Sequence, residues 1–195
     1  ITKVFPGLIA NDNVTLRVKK GEIHALLGEN GAGKSTLMNI LGGVLTADAG
    51  EIFLDGKKVA FSSPSDSMKA GIAFIHQELN LVNDLTVYEN MFLYGFRKKG
   101  IFLDNKYMIA KTREVFQQIG IEIDPCALVE SLDASYKQTL EIARALMSDA
   151  SVIIMDEPST SLTEPEIKRV FEIMRTLKTQ GVSIVFISHK LGEDR

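Results

Sequence analysis

The sequence holds a single cysteine, Cys126, and no apolar run approaching the roughly 18 residues that a membrane-spanning helix needs. One thiol excludes an internal disulfide framework and a cysteine zinc cluster. Cys126 itself reads as a small core side chain in a chain compatible with a reducing compartment. No basic and apolar leader opens the sequence, so neither a signal peptide nor a bilayer span is expected. An excess of positive charge is missing too: 22 Lys and Arg stand against 25 Asp and Glu, a formal charge of -3. That balance supplies no basic stripe for a phosphate backbone, and no nucleic-acid partner is expected. What is present is the composition of an ordinary folded domain, with 45% of the 195 residues apolar and 24% charged. The size suits one core with an appended part. The first residue is Ile1, and residues 191–195 form a charged run with no closing element, which suggests a stretch of a longer chain.

Alternating Val14, Leu16 and Val18 predict an antiparallel strand, and the apolar run 23–27 predicts a buried one. A glycine-rich loop and a helix carrying Leu37, Met38, Ile40 and Leu41 follow, ended by Gly42 and Gly43. Asp55-Gly56 between Ile52, Leu54 and Val59, Phe61 predicts a type I′ hairpin. Residues 72–75, 152–155 and 182–187 predict three further buried strands. Between the first two of these, residues from about 85 to 150 read as a helical insertion, with Met108, Ile109, Val115, Phe116 and Ile119 on one face. Thr163 with Glu166 makes a capping box for a helix with an apolar stripe of Ile167, Val170, Phe171, Met174 and Leu177, stopped by Gly181. Buried strands separated by helices imply a parallel sheet covered on both faces, because each parallel connection needs a crossover.

Chemistry is concentrated where these strands end. Gly28, Glu29, Asn30, Gly31, Ala32, Gly33, Lys34, Ser35 and Thr36 fit G-x-x-x-x-G-K-[ST] between a predicted strand and a predicted helix. Glycines let successive N–H groups face a polyphosphate, and the helix N-terminus adds partial positive charge. Lys34 would neutralise the β- and γ-phosphates and the Ser35 hydroxyl would ligate Mg²⁺. The strand 152–155 runs into Asp156, suited to the metal, and Glu157, suited to polarise a water for in-line attack. Gln77 and His189 follow two other buried strands and join the same edge, where ligands of open parallel sheets bind. His24 and His76 belong to no metal spacing and read as structural.

With these residues in place the chain resembles, over nearly its whole length, the nucleotide-binding domain of ABC transporters. Residues 28–36 resemble Walker A, 152–157 Walker B with its catalytic glutamate, Gln77 the Q-loop and His189 the switch histidine. Phe5 lies where the family stacks an aromatic on adenine, and 132–138 where it has its signature. The resemblance implies an α/β P-loop NTPase fold, RecA-like, with a small antiparallel β part and an inserted helical part. It implies ATP and Mg²⁺ as ligands, with Gln77 joining Ser35 and Asp156 around the metal. It also implies a second ABC domain closing head to tail, membrane permease subunits, and a peripheral place on the cytoplasmic face of the membrane. The wording of residues 24–38, 75–79, 85–90 and 187–191 is similar to the first domain of tandem ATPases that drive bacterial monosaccharide import, which work with an external sugar-binding protein. Residues 1–195 would then be one ATP-binding domain. Part of 79–94 would form a groove for a coupling helix.

Two positions depart from the family pattern. Leu132-Asp133-Ala134-Ser135-Tyr136 stands where Leu-Ser-Gly-Gly-Gln is usual, putting an acid where a serine bonds phosphate, and Thr163 stands where aspartate is usual. The acid leads to the expectation of one competent site per ATPase pair. The residues leave open an importer of a nucleoside or other solute, and a soluble ATPase of this class acting on ribosomes or DNA.

Overall fold

The structure is a computed structural model that describes residues 1–76, 78–93, 95–99, 102–157 and 162–188. The chain opens as an antiparallel hairpin of β1 (Lys3–Phe5) and β2 (Leu8–Asn11), and then reaches β3 (Ile23–Leu27) and α1 (Lys34–Leu41). A second hairpin, β4 (Ile52–Leu54) and β5 (Lys57–Val59), turns through Asp55 and Gly56 at φ 49° and 74°, the type I′ geometry expected of that dipeptide. After α2 (Pro64–Lys69) and β6 (Ile72–Ile75) comes α3 (Val87–Met91). A short ribbon follows, β7 (Lys98–Lys99) and β8 (Phe102–Leu103), and then α4 (Asn105–Gln118), α5 (Ala134–Met147), β9 (Val152–Asp156), α6 (Glu164–Thr179) and β10 (Ser183–Ser188).

The centre is a four-stranded sheet in the order β3-β10-β9-β6, parallel throughout. The edge strands β3 and β6 are only partly buried, β3 against its expected burial, whereas the middle strands β9 and β10 are buried on both faces, which is why they read as continuous apolar runs. The period of two still divides them. Ile153 and Met155 of β9, with Ile184 and Phe186 of β10, face a cluster closed by Leu140 and Ala143 of α5 and by Val170, Met174 and Leu177 of α6. Ile154, Val185 and Ile187 face the other way, onto Leu37 and Met38 of α1. This is the expected α/β architecture of a parallel core with small antiparallel pieces.

Three local expectations are corrected. Residues 14–19 form no strand; Val14, Leu16 and Val18 instead pack half-buried along the second cluster, beside a cavity of about 760 Å³ shared with β4, so their alternation reports one-sided burial without a ladder. The expected helical insertion of residues 85–150 is not helical throughout, because β7 and β8 interrupt it between α3 and α4. Cys126 is exposed rather than a core residue. The helix signals hold: Thr163 and Glu166 form both halves of the capping box, and the Val182 N–H donates to the Leu177 carbonyl at 3.1 Å past Gly181, at φ 85°.

Candidate functional site

Because the four central strands are parallel, their carboxyl ends share one edge, and the sequence-selected groups hang from it. β3 hands over to the 28–33 loop, β6 ends one residue before His76, β9 ends in Asp156, and β10 ends at Ser188. Ile187 of β10 pairs with Asp156 across the ladder, and the Glu157 N–H donates to the Ile187 carbonyl at 3.1 Å. Gln77 and His189 lie outside the described residues.

The loop is built to present backbone. Gly31 and Gly33 sit at φ 82° and 83°, in the region that side chains disfavour. Gly33 has a second reason to be glycine: a Cβ there would stand 2.2 Å from the Ala10 carbonyl oxygen, where β2 crosses the loop. Asn11 braces that crossing by donating from Nδ2 to the Gly33 carbonyl at 3.1 Å. Gly33 is also the N-cap of α1 and supplies no side-chain cap, so the first N–H groups of the helix have no side-chain acceptor. An anion is the natural partner for such an end. The Lys34 ammonium donates to the Gly28 and Glu29 carbonyls at 2.6 and 2.9 Å, which holds its charge over the loop. Ser35 is exposed and Thr36 half-buried in the first turn.

Asp156 and Glu157 are half-buried. Burial, and then the neighbouring Glu157 charge, push the Asp156 carboxyl above the usual aspartate range, against the pull of His76 and Lys34. A carboxylate that resists ionisation in the absence of a cation, within the field of the Lys34 charge, suits an oxygen-ligated divalent metal such as Mg²⁺. Glu157 has φ 47°, a left-handed backbone rare for this residue type.

Phe5 ends β1 opposite Leu8, half-buried, with the Lys3 ammonium 5.5 Å over its ring. The hairpin that carries it touches the phosphate loop through Ala10 and Asn11. His24 pairs with Glu22 at 3.0 Å and His76 stacks on Phe74 at 4.3 Å, the structural roles expected of both.

At the signature position Asp133 is the N-cap of α5. Its carboxylate accepts the Tyr136 N–H and the Ser135 hydroxyl, each at 2.8 Å. Arg169 of α6 lies 3.5 Å from the same carboxylate, donates to Ser135 Oγ at 2.7 Å and stacks 4.2 Å over the Tyr136 ring. Partial burial tends to raise the Asp133 carboxyl, but the Tyr136 N–H, the Ser135 hydroxyl and Arg169 outweigh it and hold it below the usual range. Sequence reasoning passed over Asn11 and Arg169. Neither carries a local signal, since each acts on an element remote in the chain.

The family description "ABC transporter" matches residues 11–160. The chain is 47% identical over 193 residues to the galactose/methyl galactoside import ATP-binding proteins MglA of Clostridium perfringens and of Escherichia coli, covering 99% of this chain and 38% of each relative. It therefore spans well under half of their length. An ATP-binding cassette of an ABC transporter in its ADP conformation superposes with a TM-score of 0.87 at 27% identity, over 99% of this chain and 80% of that one. A dimeric cassette in a post-hydrolysis state bound to ADP and Pi superposes with a TM-score of 0.75 at 25% identity, over 98% and 86%. With its phosphate loop and Asp156-Glu157 on one sheet edge and these relatives along its whole length, the chain belongs to the ABC transporter family.

Proposed function

We propose that the chain is the ATP-hydrolysing domain that energises import of a simple sugar through a membrane ABC transporter. The observation that carries the reading is the convergence of the Lys34 loop with Asp156 and Glu157 on one sheet edge. The galactoside-import relatives, at 47% identity, support a sugar as the cargo.

In this reading the N–H groups of residues 29–34 and the Lys34 ammonium hold the β- and γ-phosphates of ATP, and Phe5 stacks on the adenine. Ser35, Asp156 and Gln77 hold Mg²⁺, which neutralises charge on the phosphate oxygens. Glu157 orients water and takes its proton, while Gln77 and His189 sense the γ-phosphate. Two such domains close on ATP, coupled to permease subunits on the cytoplasmic face of the membrane that receive sugar from an external binding protein. Residues 1–195 form one ATP-binding domain whose 85–150 part, α3 to α5, is the helical insertion facing the permease.

Glu157→Gln keeps the shape of the side chain and removes the base. Steady-state ATP hydrolysis by the full assembly is expected to fall about 10²- to 10⁴-fold while ATP binding is kept. Unchanged turnover would overturn the assignment.

A further inference from the structure

The ribbon between α3 and α4, within the helical insertion, carries none of the ATP-site residues, yet it gathers exposed apolar side chains. Phe96 is 40% exposed, Phe102 73%, Leu103 46% and Tyr107 45%. Single exposed apolar residues need no explanation, but four within twelve positions are a concentration, and Phe102 and Leu103, successive in β8, put apolar surface on both faces of the ribbon. Across residues 96–107 the sequence has four basic residues, Arg97, Lys98, Lys99 and Lys106, against one acid, Asp104, in a chain whose formal charge is -3. That acid is already engaged, because its carboxylate caps α4 by accepting the Tyr107 N–H at 3.1 Å. Arg97, Lys98 and Lys106 are exposed, so positive charge faces solvent along this stretch.

The base of the ribbon is fixed. The Asp104 N–H donates to the Arg97 carbonyl at 2.8 Å. The Arg97 guanidinium lies 5.5 Å over the Tyr107 ring, which meets Phe92 edge-on at 6.3 Å, and Phe92 is buried. Beyond that base, β7 and β8 pair only with each other among the described strands. Exposed aromatic rings mixed with exposed arginine and lysine match a headgroup layer, where rings enter the interface and cations meet phosphate.

We infer that this ribbon is a membrane-surface anchor. Phe96, Phe102 and Leu103 seat in the interface of a bilayer whose anionic phospholipids neutralise Arg97 and Lys98. The inference extends the membrane-side location proposed above and is independent of the ATP site, so the two can fail separately.

The test is flotation of the purified full-length chain with vesicles of phosphatidylglycerol and phosphatidylcholine, against vesicles of phosphatidylcholine alone. Binding to the anionic vesicles is expected at low salt, with release at high salt and little binding to neutral ones. Phe102→Ser and Lys98→Glu are exposed changes that leave the packed base intact. Each is expected to weaken partitioning about tenfold. Lys57→Glu makes the same charge change on the exposed β4–β5 hairpin and should leave partitioning intact, and hydrolysis should be unaltered in all three. The inference is overturned by failure to float with either lipid, by binding that the ribbon variants do not weaken, or by an equal loss in Lys57→Glu.

Discussion

Asp133 serves its own helix, and in the proposed two-domain assembly it would bear on a neighbouring site as well. Its carboxylate takes the N–H that a phosphate at the end of α5 would otherwise use, and Arg169 holds it there. In the proposed two-domain assembly it opposes the partner's ATP by occupying the helix end as well as by charge, which sharpens the expectation of one competent site per pair. Because its folded carboxyl is held below the usual range, its stabilising contribution is present above the unfolded value and is lost as pH falls through the folded one. Arg169→Ala should cost about 1 kcal/mol at neutral pH, with the difference from wild type shrinking in acid as Asp133 protonates. Urea titrations at both pH values check this, and a loss independent of pH would show that Arg169 acts by packing alone.

Asp156 has the opposite sign. Its carboxyl is raised by burial and by Glu157, so its favourable contribution is present at low pH and lost as pH rises through the folded value. Asp156→Asn should therefore raise the Tm of the nucleotide-free protein at neutral pH, leave it nearly unchanged in acid, and abolish Mg²⁺-dependent hydrolysis. A lower Tm at neutral pH would mean that the charge is satisfied by the protein itself.

At the scale of elements, what was legible followed from local rules. The loop of residues 28–36 and the Asp55-Gly56 turn are each specified by neighbours in sequence, and the Thr163 and Glu166 capping box is written in four consecutive positions. The middle strands β9 and β10 were legible because burial on both faces leaves unbroken apolar runs. Val14, Leu16 and Val18 misled for the converse reason: alternation records which side is buried, not whether a neighbouring strand supplies hydrogen bonds. The β7–β8 ribbon was hidden because two-residue strands are too short to carry a period. In the site, Lys34 announced itself through the glycine-rich G-x-x-x-x-G-K-[ST] pattern, and Asp156 and Glu157 by standing at the end of an apolar strand. Asn11 and Arg169 did not, since the first reaches Gly33 across 22 positions and the second reaches Ser135 across 34. Such braces exist only after the chain has folded.

At the scale of the whole molecule, the two faces of the central sheet are packed differently. The face under α5 and α6 is dense: Leu140, Met155, Met174 and Leu177 are all 0% exposed. The opposite face adjoins the cavity of about 760 Å³ between residues 13–20, β4 and the sheet, and Leu54, half-buried, lines it. The cost of truncating a side chain combines lost transfer free energy with the new void, and the void matters less where space already exists. Leu140→Ala should therefore cost about 3 kcal/mol or more, near the middle of the range for buried leucines, whereas Leu54→Ala should cost about 1 kcal/mol. Urea unfolding with matched m-values measures both. Equal losses would mean that the cavity closes in solution and that the sheet is packed alike on its two faces. The predicted inequality would place the rigid support of the site on the α5–α6 side, where β9 and β10 present Asp156 and the carbonyl that holds Glu157.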